Sequence, residues 1–196
     1  MGELVNSSML DATVARTREG GPSFNLRHRL FRAIWNTTWL ALAAWTPAPL
    51  HRWRILLLRI FGARVAWSAH VYPSVRVWYP PHLCMDRFSC LGPRVNCYAM
   101  APIRIGAYTV VSQGAHLCAG THDIHDPAFQ ITARPISIGD DVWLAAECFV
   151  GPGVTIGDGA ILAARAVAFH DLAPGSIYLG NPATIVRERK TVYQQQ

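Results

Sequence analysis

Residues 138–167 read IGDDVWLAAECFVGPGVTIGDGAILAARAV. Aliphatic residues recur at every sixth position, at Ile138, Leu144, Val150, Ile156 and Leu162. Four places after each stands a small or apolar residue: Val142, Cys148, Val154, Ala160 and Ala166. Glycine follows several of the aliphatics, as in Ile138-Gly139, Val150-Gly151 and Ile156-Gly157. One aliphatic in six matches neither an amphipathic helix nor a long alternating strand. It matches a solenoid of very short strands, with stacked aliphatics inside and small residues at the corners.

Working outward, the same phase appears at Val65, Val71, Val77 and Leu83. It slips by two residues to Leu91 and Cys97, and by two again to Ile105, Val111 and Leu117, giving about 14 hexapeptides. The phase is intact through Leu117 and returns at Ile138, so residues 120–135 leave the wall as a loop. From Leu117 to Ile138 is 21 residues, where three hexapeptides would take 18. A regular wall interrupted once by a polar loop is where function is expected.

The chain divides into a polar segment over 1–25, expected as a flexible tail, and a basic, Trp-rich segment over 26–61. The solenoid covers 62–178, and 179–196 form a cap and tail. The 26–61 segment reads as two helices around a Pro-rich break at 47–49. Its tryptophans and arginines suit either an interfacial membrane contact or packing against the solenoid. Lys and Arg total 18 against 12 Asp and Glu, a net +6, with much of the excess early, from Arg16 to Arg59. A basic end implies an anionic surface or ligand; a nucleic-acid partner is not expected. Cys84, Cys90, Cys97, Cys118 and Cys148 are odd in number and contain no CxxC pair. They read as small buried hydrophobes in a reducing compartment. The first 25 residues lack a signal-peptide layout, and the apolar run at 38–50 is too short to span a bilayer, so a cytoplasmic location is expected.

Several segments carry a resemblance: FGARV (61–65), SQGAHLCAGTHD (112–123), residues 135–167 and LGNPATIVRER (179–189). Together they resemble the hexapeptide-repeat acyltransferase superfamily, and within it the colanic acid biosynthesis acetyltransferases, near the maltose and galactoside acetyltransferases. The resemblance implies an all-β solenoid, a left-handed parallel β-helix, with an N-terminal helical extension and a short C-terminal helix. It implies a homotrimer with active sites between subunits, and acetyl transfer from acetyl-CoA to a sugar hydroxyl; the basic, Trp-rich 26–61 segment suits a lipid-linked glycan at the inner membrane face as the acceptor. Transfer to the nitrogen of an amino sugar is the nearest alternative. A zinc hydratase like the hexapeptide-type carbonic anhydrases and a non-catalytic scaffold are the readings of other classes.

The interruption holds CAGTHDIHDPAF over 118–129. Zinc needs three or four convergent ligands, and His116 and His122 stand one hexapeptide apart, which argues against one ion binding both; no metal is expected. Cys118 as a nucleophile needs a base within hydrogen-bond reach, but it fills a small-residue place that packing explains. A neutral imidazole suits removal of a hydroxyl proton, and the family's catalytic histidine matches His122. Asp123 and Asp86 are candidates to orient it, and Asp126 before Pro127 reads as turn chemistry. By resemblance, acetyl-CoA is held by Trp143, Ala146, Ala164, His170 and Arg187, with Arg189 and Lys190 as helpers and the Ala146 amide as oxyanion donor. The sequence departs from the family at Phe169-His170 and Thr184, where a Thr-Lys pair and an arginine are usual. Asn96, Tyr98, Asp123 and His125 are the acceptor-side candidates.

Overall fold

The computed structural model describes residues 8–189. Residues 64–179 form a parallel β-solenoid with three faces. The first face stacks Arg64–Val65, Leu83–Met85, Ile103–Ile105, Ile136–Ile138 and Thr155–Ile156. The second stacks His70–Val71, Cys90–Leu91, Val110–Val111, Trp143–Leu144, Ile161–Leu162 and Ser176–Leu179. The third stacks Arg76–Val77, Asn96–Tyr98, His116–Cys118, Phe149–Val150 and Val167–Ala168.

Each hexapeptide makes one short strand and one corner. The aliphatic points inward, and Leu91, Val111, Leu117, Leu144, Val150 and Leu162 are fully buried. Three places on, the chain turns through the left-handed region, at Phe88, Arg94, Tyr108, Asp141, Glu147 and Arg165 and at Gly114, Gly153 and Gly159. The next residue drops back inside, and Val142, Cys148, Val154, Ala160 and Ala166 are all buried. Glycine after the aliphatic serves a different need, the close approach of neighbouring coils. A Cβ on Gly106 would run into the Gly139 carbonyl of the next coil.

The two phase slips fall where first-face strands lengthen to three residues. Leu83 and Met85 both point inward, as do Ile103 and Ile105. Side chains alternate along a strand, so an insertion of two keeps the parity and leaves the core unbroken. The interruption is larger than its length suggested. Leu117 lies on the third face and Ile138 on the next strand of the first, so only one corner is spanned. The equivalent step from Cys97 to Ile105 takes 8 positions against 21, leaving an insertion of 13.

A parallel β-solenoid exposes unpaired strands at both ends, and each end needs a cover. At the start, α1 (Ala12–Ala15) is followed by α2 (Leu26–Leu42) and α3 (His51–Ile60). Asn25 caps α2 by accepting the His28 amide at 2.9 Å. Trp35 and Trp39 of α2 donate to the Val77 and Pro73 carbonyls at 2.7 and 3.3 Å, and α3 buries Ile55, Leu57 and Leu58 over the first coil. Arg54 of α3 is fully buried, with no carboxylate partner among the described residues. It is satisfied by the carbonyls of Val71, Pro47 and Ala48 and by Thr46 Oγ1, so it staples the Pro-rich break to the solenoid. Of the tail expected over 1–25, residues 8–25 take a folded course, joined by the Met9–Phe24 bridge; residues 1–7 lie outside the described residues.

The far end departs from expectation. Among the described residues the strand Thr184–Glu188, antiparallel to Ser176–Leu179, stands where a short C-terminal helix was expected; residues 190–196 lie outside them. Thr184, Ile185 and Val186 are β-branched and favour a strand, and pairing covers the open edge, which a helix would leave unsatisfied.

Candidate active site

The interruption folds as a β-hairpin in which Gly120–His122 pairs antiparallel with Ile131–Ala133, placing His122 opposite Ile131. Gly120 makes this departure possible, because a Cβ there would run into the Met100 sulfur. The tip is built from side-chain-to-backbone turns. Asp123 accepts the His125 amide at 2.9 Å, and Asp126 accepts the Ala128 and Gln130 amides at 2.9 and 3.2 Å. The N-terminal segment braces it from outside. Gln130 accepts the Ala12 amide at 2.5 Å and donates to the Leu10 carbonyl at 3.1 Å, and Arg18 lies over the Phe129 ring.

His122 is exposed, with its ring stacked on Phe129 at 4.2 Å between centroids. Its Nδ1 lies 2.8 Å from the Phe129 carbonyl oxygen. A carbonyl only accepts, so Nδ1 is the donor, and in the neutral ring Nε2 is left with its lone pair. Phe129 adopts φ +57°, which aims that carbonyl back at the ring. Within the chain neither expected carboxylate orients the imidazole. Asp123 is spent on the hairpin turn, and Asp86 accepts the Arg87 amide at a corner of the second coil.

The third face beside the hairpin presents Asn96 directly over His116, and Tyr98 over Cys118. Asn96 Nδ2 donates to His116 Nε2 at 3.2 Å, and burial pushes the His116 pKa down. The Cys118 thiol donates to the Gly120 carbonyl at 3.2 Å, and burial raises its pKa, so it is poorly suited to attack. His125 and Asp123 stand at the hairpin tip, apart from the Asn96–Tyr98 strand. The Asn96–His116 pair went unnoticed in the sequence, although its spacing of 20 equals one coil of the upper wall.

The donor-side candidates lie on the second face and at the solenoid corners. Trp143 is 48% exposed, with its indole N–H on Ser112 Oγ at 2.9 Å, so it is not a core residue. Trp143, Ile161, Ile177 and Arg187 are in direct register across four adjacent strands, forming one outward row. Ala146 and Ala164 are the outer residues of adjacent corners, and their amides make no hydrogen bond among the described residues. His170 is exposed on the last coil. Arg189 has a structural use: it pairs with Asp141 at 3.0 Å and donates to the Asp141 and Gly159 carbonyls. Lys190 lies outside the described residues. Among the described residues no three His, Cys, Asp or Glu side chains gather as a metal site.

The family described as Bacterial transferase hexapeptide (six repeats) matches residues 135–168. A protein of Escherichia coli (strain K12) named "Putative colanic acid biosynthesis acetyltransferase WcaF" is 43% identical over 156 residues, covering 80% of this chain and 86% of that protein. The chain belongs to the hexapeptide-repeat acyltransferases. Identity of that degree over most of both chains places it beside the WcaF-type acetyltransferases. Galactoside O-acetyltransferase of Escherichia coli (strain K12) is 25% identical over 145 residues, covering 72% of this chain and 71% of that one. Among solved structures, a hexapeptide-repeat acetyltransferase of Vibrio cholerae O1 biovar eltor, complexed with acetyl coenzyme A, superposes with a TM-score of 0.77. It is 22% identical and covers 85% of this chain and 91% of its own. The left-handed parallel β-helix expected for the acyltransferase superfamily is thus the fold of this chain.

Proposed function

We propose that the protein is an O-acetyltransferase that moves acetyl from acetyl-CoA to a sugar hydroxyl, with His122 as general base. The observation that carries this reading is the 2.8 Å contact of His122 Nδ1 with the Phe129 carbonyl, which in the neutral ring leaves Nε2 to accept a proton. Nε2 takes the hydroxyl proton as the sugar oxygen attacks the thioester carbonyl carbon. The C–S bond breaks, CoA leaves as the thiolate, and the imidazolium returns the proton to sulfur. The step needs both substrates together and no acyl-enzyme, which agrees with the protonated, hydrogen-bonded state of Cys118.

The second face fits an extended cosubstrate. Its row from Trp143 to Arg187 offers an aromatic wall at one end and a cation at the other, while His170 stands at another corner of the same chain, between the third face and the first. The unpaired amides of Ala146 and Ala164 are donors at small-residue corners, and Ala146 is the candidate for the developing oxyanion. On the acceptor side, Asn96 and Tyr98 of the third face and Asp123 and His125 of the hairpin tip are the candidates, the two pairs standing apart within one chain. A homotrimer would bring the hairpin of one subunit against the second face of the next, joining two halves that lie on different faces of one chain.

The acceptor in this reading is a lipid-linked glycan precursor at a membrane face. Leu26, Leu30 and Ile34 stand exposed at i, i+4 spacing on α2, and Trp45 is 72% exposed in the break after it. No helix among the described residues is long and apolar enough to cross a membrane, so the contact would be peripheral. Because α3 covers the core, the test is substitution rather than truncation. Leu30→Glu with Trp45→Glu should abolish flotation with anionic liposomes, and unchanged flotation would count against the contact.

His122→Ala should lower acetyl transfer by about a thousandfold while acetyl-CoA still binds. Retained transfer from acetyl-CoA would sink the assignment.

A further inference from the structure

Between Gly20 and Met85 the chain contains Arg27, Arg29, Arg32, Arg52, Arg54, Arg59, Arg64 and Arg76, and no Asp or Glu. Arg54 is answered by carbonyls. Arg32 is not. Its guanidinium lies 4.1 Å over the Trp78 ring, half-buried, with its Nε fully sequestered and without a partner. It has no carboxylate and no hydrogen-bond acceptor among the described residues. A desolvated cation left unanswered is costly to hold.

Arg32 lines a cleft of about 420 Å³ together with Arg29, Phe24, Trp78, Tyr98 and Ile131. Ile131 is the residue paired across the hairpin with His122, so one wall of the cleft belongs to the hairpin that carries the candidate base. Trp78 and Tyr98 meet edge to face at 5.5 Å and give it an aromatic wall. Stacking on Trp78 fixes the guanidinium plane, and its N–H edge then suits two oxygens of one anion. His28, buried between Phe24, Trp78 and Tyr79, has both ring nitrogens unpartnered and adds no counter-charge.

We propose that this cleft binds the anionic group of the acceptor, a uronate carboxylate or a sugar phosphate, on Arg32 with Arg29 assisting. The sugar ring then lies against Trp78 and Tyr98, with a hydroxyl turned toward His122. The inference rests on the transferase reading for its acceptor, and the cleft can be tested apart from it.

The test uses the full-length protein with methyl glucuronoside, glucose 1-phosphate and neutral methyl glucoside. Binding is read from tryptophan fluorescence, and transfer from CoA thiol release with product mass. At least one anionic sugar should bind about tenfold more tightly than methyl glucoside, and which one identifies the group. Arg32→Gln should erase that preference. Since Arg32 also stacks on Trp78, the exposed Arg29→Gln is a second variant. It should reduce the preference about threefold with the thermal transition unmoved. Equal binding of all three sugars, or a preference that survives both variants, would overturn the proposal. Anion-selective binding with no CoA thiol released from acetyl-CoA, with these sugars or with lipid-linked glycans, would count against the transferase reading instead. Transfer without anion selectivity would do the reverse.

Discussion

The wall over 136–168 and the hairpin over 120–133 adjoin in the chain and are held by different physics. In the wall every sixth side chain is buried against its equivalent one coil away, as Leu144 is against Val111 and Leu162. The hairpin buries little: Ile124 is 76% exposed, and the tip is fixed by Asp123, Asp126 and backbone amides. Its outer support comes from Gln130 reaching Leu10 and Ala12, about 120 residues away in sequence. A wall held by dense apolar contact tolerates no local change cheaply, whereas a hairpin held by a few polar contacts can be loosened while the fold stays intact.

The largest effect should come from breaking the wall. Leu144→Ala removes a fully buried side chain from the middle coil, and the rigid stack can close the cavity only in part. A loss of about 3 kcal/mol is expected from denaturant unfolding. A loss under about 1 kcal/mol would mean that the coils are not stacked as described.

The N-terminal cover should show itself through pH. Burial, with Arg32 and His82 nearby, pushes the His28 pKa down to about 4. An unfolded histidine titrates near 6.5, so between these values the unfolded chain holds a proton that the native chain does not. Stability is therefore full above about pH 6.5, falls as pH drops toward 4, and levels below it. His28 alone should account for about 3 kcal/mol of the fall. His51, His82 and His116, also lowered by burial, add to it with the same sign. Denaturation at a series of pH values should give His28→Phe a shallower acid limb, and an unaltered limb would contradict the burial of His28.

Gln130→Ala separates the two regions most directly. It removes the hydrogen bonds to Ala12 and Leu10, so exchange of the amides in 8–25 and 120–133 should quicken, equivalent to about 1 kcal/mol. The wall should keep its protection, and acetyl transfer should fall severalfold. Uniform loss of protection would show that hairpin and wall unfold as one.

This difference also sets what the sequence revealed. The wall was legible because one inward residue in six leaves a period, and even its slips of two could be read. The size of the insertion was not, because the count from Leu117 to Ile138 does not say how many corners lie between. The strand at Thr184–Glu188 was missed for a similar reason, since the open edge it pairs with exists only after the coils have stacked. His122 stood out as a residue type, but its orienting partner is a backbone carbonyl, which no side-chain pattern announces. Arg32 looked like any other basic residue until Trp78 lay beneath it and no acid lay beside it.

The smallest expected effect explains a silence within the repeat. Three places after each aliphatic from Ile138 to Leu162 the chain is left-handed, yet these positions hold Asp141, Glu147, Gly153, Gly159 and Arg165, with no shared type. A non-glycine residue there costs on the order of 1 kcal/mol. Glycine would remove that strain, but it gains about as much freedom in the unfolded chain. Arg165→Gly also loses an exposed ion pair with Glu147 at 2.7 Å, worth about 0–1 kcal/mol. The contributions nearly cancel, and thermal unfolding should place the variant within about 0.5 kcal/mol of the parent. A change as large as that of Leu144→Ala would mean that outward corner residues carry the wall. A near-zero change would show why selection leaves the corner's conformation invisible in the sequence while writing its interior every six residues.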